Sequence, residues 1–107
     1  MSFDISAEAR ADTANTIRFY NSKPDRHGSA FRAEFGRAVA AIVEMPRMYP
    51  LVADGVPDRE IREYHIERFQ QRVIYLMTGD DVLVVAIVHA SRREGSWHGN
   101  LPTEPAN

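Results

Sequence analysis

The stretch "RVIYLMTGDDVLVVAIVHA", Arg72 to Ala90, constrains the fold more than any other part of the chain. Two runs rich in Val, Ile and Leu flank "TGDD", the composition of two adjacent strands joined by a tight turn. The second run, Val82–Ala90, stays apolar at consecutive positions until His89. It therefore reads as an interior strand with both faces covered. The covering layers must come from the segments on either side.

Upstream, "FDIS" (Phe3–Ser6) alternates apolar and polar residues and predicts a short first strand. Ser6 is suited to cap the helix that follows, with Glu8 in its first turn. Ala7, Ala11, Ala14, Ile17 and Tyr20 recur at helical spacing and are expected to form a small-residue inner face. "NSKPDRHGS" (Asn21–Ser29) is dense in turn formers, and Pro24 is expected to end the helix. Ser29 is expected to cap a second helix whose core face is Phe31, Phe35, Ala38, Ile42 and Met45. Pro46 stops it. The two helices form a hairpin, alanine face against aromatic face.

"PRMYPLVADGVPD" (Pro46–Asp58) reads as a connecting loop, and "REIREYHIER" (Arg59–Arg68) as a mixed edge or half-exposed strand. From Glu94 onward only Trp97 is expected to pack, so residues 1–97 form the domain and 98–107 a flexible tail. The order β-α-α-β-β-β predicts an α+β class. The N-terminal strand and helical hairpin would pack on a small antiparallel sheet whose helices lie on one side.

Several kinds of chemistry are poorly supplied. The chain has no cysteine, and its four histidines lack short ligand spacing, so no metal site and no cofactor is expected. Gly28, Gly36 and Gly55 are scattered and make no phosphate-cradling loop. No apolar run approaches the roughly 18 residues of a membrane helix, and the N-terminus lacks a signal pattern. The expected location is cytoplasmic. Net charge is −2, with one lysine, Lys23, among the 13 basic residues. That balance does not suit a protein bound directly to nucleic-acid backbone.

What remains is a cluster on the later strands: Arg62, Tyr64 and His65; Arg72 and Tyr75; then His89, Arg92, Arg93 and Trp97. Brought together, arginines hold phosphate, a His or Tyr moves a proton, and an aromatic ring stacks a base. Those are the parts of a metal-free ribonuclease that uses the RNA 2′-hydroxyl as nucleophile. The same residues also read as structural. Tyr64 and Tyr75 suit packing, Glu60, Glu63 and Glu67 pair with nearby arginines, and His89 falls by alternation on the Leu83/Val85 face at the sheet edge.

The element order and local text together resemble the RelE/ParE superfamily of bacterial type II toxin–antitoxin toxins. The resemblance runs from about Phe3 to Trp97. Its markers are the Ala-rich first helix, "IVEMPRMYP" (Ile42–Pro50), and "IREYHIERFQQRVIYLMTGDDVLVVAIVHASRREGSW" (Ile61–Trp97). The family's "F-P-Y" turn is "FQQ" here (Phe69–Gln71), and its "H-x-R-R-x-P-x-Y-W" ending is altered between His89 and Trp97. One branch cuts mRNA on the ribosome. For that branch the resemblance implies Arg62, His89, Arg92 and Arg93 as catalytic residues. The other branch poisons DNA gyrase without catalysis, and the acidic balance and interleaved glutamates favour it here. Arg62, Tyr64, Arg72, Tyr75 and Trp97 are the expected binding residues. Either branch implies a cognate antitoxin as partner, with promoter DNA bound only through that antitoxin and no membrane involved. A non-toxic antitoxin-binding relic is the third reading.

Overall fold

The central hairpin forms where its composition demands. In the computed structural model, which describes residues 1–103, β3 (Gln71–Thr78) pairs antiparallel with β4 (Asp81–His89). The turn between them is Gly79–Asp80, and Gly79 takes φ +59°, a backbone conformation that glycine adopts without steric penalty. β2 (Glu60–Ile66) pairs antiparallel with the other side of β3. β1 (Phe3–Ile5) joins the free side of β4 in parallel, giving the order β1-β4-β3-β2. The antiparallel part is as expected, and β1 adds a short parallel edge.

The pairing of β3 with β4 slips once. Ile74 faces Ala86 but Tyr75 faces Val84, so Val85 is an extra residue on β4. Such a bulge reverses the face on which later side chains point. Val82, Val84 and Ile87 accordingly pack in the helical core, whereas Leu83, Val85, Ala86 and Val88 pack on the opposite face. His89 alternates with Val88 and follows Ile87 to the helical side. The expectation that it shares the Leu83/Val85 face is thereby corrected.

α1 (Ala7–Asn21) and α2 (Gly28–Glu44) cover one face of the sheet. Ser6 caps α1 as expected, its Oγ accepting from the Ala9 N–H at 3.1 Å. The inner face of α1 holds at Ile17 and Tyr20, which pack on the core, but differs in its alanines: Ala9 is fully buried, while Ala7, Ala11 and Ala14 are exposed. Thr13 and Thr16 lie partly buried, each hydroxyl satisfied by the carbonyl four residues back. α2 begins one residue before the expected cap, Ser29, and has no side-chain cap. Its face holds at Phe31, Ala38 and Ile42, with Phe35 half-buried, but Met45 is 55% exposed because the helix has ended there. Tyr20, Phe31 and Phe69 join the helices to the sheet, their ring centroids 4.8–5.9 Å apart.

Among the described residues no α-helix covers the other face. Ile61, Ile74, Leu76, Val85, Ala86 and Val88 are roofed by Val52 and Val56 from the connecting loop and by Trp97 and Leu101. The expected tail at 98–107 divides. His98–Asn100 form a 3₁₀ turn, Leu101 packs on the sheet, and residues 104–107 lie outside the described residues.

Candidate functional site

Arg62 lies on β2 opposite Tyr75. Its guanidinium donates to Glu60 at 2.9 Å and to the carbonyls of Tyr49 (2.6 Å) and Arg47 (3.3 Å). Arg47 in turn binds Glu60, Asp80 and the Gly79 carbonyl. These cations, Arg47 first, hold the Glu60 carboxyl below its ordinary range. Tyr75 is fully buried, and its hydroxyl donates to the Pro46 carbonyl. Burial pushes that phenol up to about 12. Tyr64 packs edge-on against Tyr49 at 5.0 Å. Together these side chains fasten residues 46–52 to the sheet, where Leu51 bridges Arg62 and the Val52 N–H donates to the Ile61 carbonyl at 2.9 Å.

Arg72 and Trp97 converge on a residue that has no signal of its own in the sequence, Asp54. Arg72 reaches both Asp54 oxygens at 3.1 Å, and its Nη1 also reaches Glu63 at 3.3 Å. The Trp97 indole N–H and the Gly95 amide each donate to Asp54 Oδ2 at 2.9 Å. With Arg72 first among the causes, the Asp54 carboxyl is held well below the usual carboxylate range. His65 is exposed and pairs with Glu63 at 2.9 Å.

His89, Arg92 and Arg93 are exposed together at the end of β4. The Ser91 amide donates to His89 Nδ1 at 3.0 Å, and Ser91 Oγ lies 2.8 Å from the same nitrogen. This trio does not meet Arg62. His89 faces Gln71, whereas Arg62 faces Tyr75, four residues along β3 and on its other side. Standard strand spacings put the two backbone positions about 13 Å apart along the sheet and about 10 Å across it. The structure thus distributes the candidate residues over three places: a loop clasp at Arg62–Tyr75, a clasp at Arg72–Trp97, and an exposed cationic end at His89–Arg93.

The cationic end borders a groove of about 660 Å³, lined by Asp12, Phe19 and Tyr20 of α1, by Ile87 and His89 of β4, and by Arg92 on its rim. Asp12 had no place among the sequence-derived candidates. Its Oδ2 accepts the Ile87 N–H at 3.1 Å, and burial raises its carboxyl above the ordinary value. Asn100, which falls in the expected tail, donates to the Val85 carbonyl at 3.0 Å. Neither contact carries a local sequence signal, since each joins residues far apart in the chain. Among the described residues no group of three or more His, Asp or Glu is arranged to hold a metal ion. No helix there is long and apolar enough to cross a membrane.

A helical hairpin on a β1-β4-β3-β2 sheet defines a small α+β protein of one layer of helices on one sheet. A solved structure described as the chromosomal ParDE TA system from P. aeruginosa shares it. The match has a TM-score of 0.71 at 15% identity and covers 85% of this chain and 97% of that one. No curated protein sequence matches the chain. The pattern of the family described as the ParE toxin of the type II toxin–antitoxin system parDE matches residues 3–94, and the chain belongs to that family.

Proposed function

We propose that the chain is a toxin that inhibits DNA gyrase and is neutralised by a cognate antitoxin. Membership of the ParE toxin family over residues 3–94 is the observation that carries this reading. The use of the basic and aromatic residues supports it. Arg62 and Arg72 are paired with carboxylates, and the Tyr75 hydroxyl and Trp97 indole are bonded within the chain. A surface nuclease would need such groups free and convergent on the reacting phosphate. A protein that acts by binding needs no such convergence. With a net charge of −2, contact with promoter DNA falls to the antitoxin, and gyrase as target places the chain in the cytoplasm. Purified protein should inhibit gyrase supercoiling and accumulate cleaved DNA, and addition of antitoxin should reverse both. Unchanged supercoiling at stoichiometric excess over gyrase would reject the reading.

A second reading, ribosome-dependent mRNA cleavage, is favoured by one observation, the exposed His89–Arg92–Arg93 end. It requires new mRNA 5′ ends on ribosomes that disappear in His89→Ala and Arg92→Ala. Expression without growth arrest would instead identify a non-toxic antitoxin-binding relic.

A further inference from the structure

Four of the six large hydrophobic side chains exposed among the described residues lie in one short stretch: Val43, Met45, Met48 and Leu51. Met48 and Leu51 are 66% and 58% exposed, yet the backbone that carries them is held in place. The Pro46 carbonyl accepts from the Tyr75 hydroxyl, the Tyr49 carbonyl accepts from Arg62, and the Val52 N–H donates to the Ile61 carbonyl. Arg47, between the two methionines, is turned aside to Glu60, Asp80 and the Gly79 carbonyl. Single exposed hydrophobics need no explanation, but a run of them on one fastened segment does. An apolar platform already ordered in the free protein binds at low entropic cost. Beside it, Tyr49 and Tyr64 stand edge-on in a hollow of about 490 Å³ between α2 and β2. Glu34, Glu63 and Glu67 line that hollow, and Arg68 lies over the Phe69 ring at 5.2 Å. Residues 43–68 carry six carboxylates and four arginines, a net of −2, so this segment holds the whole net charge of the chain.

We infer that the platform Val43–Leu51 and the Tyr49–Tyr64 hollow together form the surface that docks gyrase, by receiving an apolar segment that carries a lysine or arginine. This rests on the gyrase reading and deepens it. The segment's apolar side chains lie on Met45, Met48 and Leu51, where flexible, polarisable thioethers adapt to the shape they meet. Its cation enters the hollow, where tyrosine rings and carboxylates both favour positive charge. An enzyme that grips duplex DNA has to present lysines and arginines to phosphate, and such a surface is the complement of this one. A second copy of the chain is disfavoured as occupant, since two surfaces of the same negative sign repel. β2 is the edge of the sheet remote from β1 and β4, so the cationic His89–Arg93 end stays outside the contact and does not oppose it.

The native chain supplies its own reporters, because dilute hydrogen peroxide oxidises exposed thioethers to sulfoxides. Followed by mass spectrometry, Met45 and Met48 should lose most of their reactivity when the gyrase holoenzyme is added, with buried Met77 as the slow reference. Met48→Lys, Leu51→Lys and Glu67→Arg, all at exposed positions, should each weaken binding to gyrase by about tenfold. The concentration needed to inhibit supercoiling should rise in proportion. The urea midpoint of each variant, and its affinity for the protein encoded by the neighbouring reading frame, should stay at the native value. Full reactivity of Met45 and Met48 in a mixture that still inhibits supercoiling overturns the inference and leaves the gyrase reading standing. Variants that keep their affinity for gyrase and lose the neighbouring protein also overturn it, and assign the surface to the antitoxin. A native chain that does not bind gyrase removes the gyrase reading and the inference together.

Discussion

Asp54 and Arg72 form a two-pronged pair in which each carboxylate oxygen meets one guanidinium nitrogen at 3.1 Å. Their side chains are only 6% and 16% exposed, so the pair works at reduced dielectric and its loss is felt. It joins the loop after α2 to the start of β3 and, through Trp97, the segment after β4. Asp54→Ala strands Arg72, the indole N–H and the Gly95 amide at once. It should lower unfolding free energy by about 3 kcal/mol and the melting temperature by roughly 10–20 °C. Arg72→Ala should be similar, and the double variant should cost less than the sum of the two. Urea titrations of the four proteins check this.

The same pair sets an acid limb. Asp54 has its folded-state carboxyl lowered, first by Arg72, so its contribution is complete above the unfolded aspartate value of about 3.9. It is lost as pH falls below that value through the folded one. Stability of the native chain should therefore drop in this window, and Asp54→Asn should show a shallower drop from a lower plateau. Equal slopes in urea unfolding at pH 5, 4 and 3 would contradict the assignment.

Arg62→Ala removes donors to two carbonyls of the 46–52 segment and one cation from Glu60. The expected effect is local: about 1–3 kcal/mol of stability and faster amide exchange at Val52 and Glu63, which are bonded across to Ile61 and Pro50. If instead gyrase inhibition is abolished with exchange at those amides unchanged, Arg62 is a contact residue and its bonds within the fold are incidental.

Tyr75→Phe leaves the Pro46 carbonyl without its phenol partner and should cost about 1–2 kcal/mol. Burial raises the phenol to about 12, above its unfolded value of about 10. A raised folded value means that the stabilisation is complete below about pH 10 and is lost as pH rises toward 12. Alkaline unfolding should thus move upward in pH in Tyr75→Phe relative to its own neutral stability. Ultraviolet difference spectra should show a late-titrating component in the native chain that is lost in the variant.

Residue type and period made some of this architecture legible and left other parts hidden. α2 was readable because Phe31, Phe35, Ala38 and Ile42 recur at helical spacing between a turn-rich stretch and Pro46. α1 was readable as a helix with Ser6 as its cap, but not its inner face, because alanines at 7, 9, 11 and 14 populate several faces, and Thr13 and Thr16 bury after bonding their own helix. The β3–β4 turn announced itself through Gly79 and Asp80, but the bulge at Val85 lies within an unbroken apolar run and carries no local mark. That one residue carried His89 to the opposite face. The site residues were legible as types and not as roles. Asp54, which claims Arg72 and Trp97, lies 18 and 43 residues from them, beyond the reach of periodicity.

Asp12 offers the last test, because its half-buried carboxyl is the acceptor for the Ile87 amide, beyond the stretch of β4 that β1 pairs. Its folded value is raised, with desolvation the largest cause, opposed by the Ile87 amide and by Arg92. A raised value means that ionised Asp12 opposes folding at neutral pH, and that the penalty disappears as pH falls through the folded value. Asp12→Asn keeps an acceptor for the Ile87 amide without the charge. It should be more stable than the native chain at pH 7, and the two should converge as pH drops into the carboxylate range. Asp12→Leu removes the acceptor as well, leaves the Ile87 amide unpaired, and should not show the gain. Urea unfolding of the three proteins at pH 7 and pH 4 separates the cost of the charge from the value of the hydrogen bond. A neutral-pH gain in the leucine variant equal to that in the asparagine variant would mean that the Asp12–Ile87 bond contributes nothing to stability.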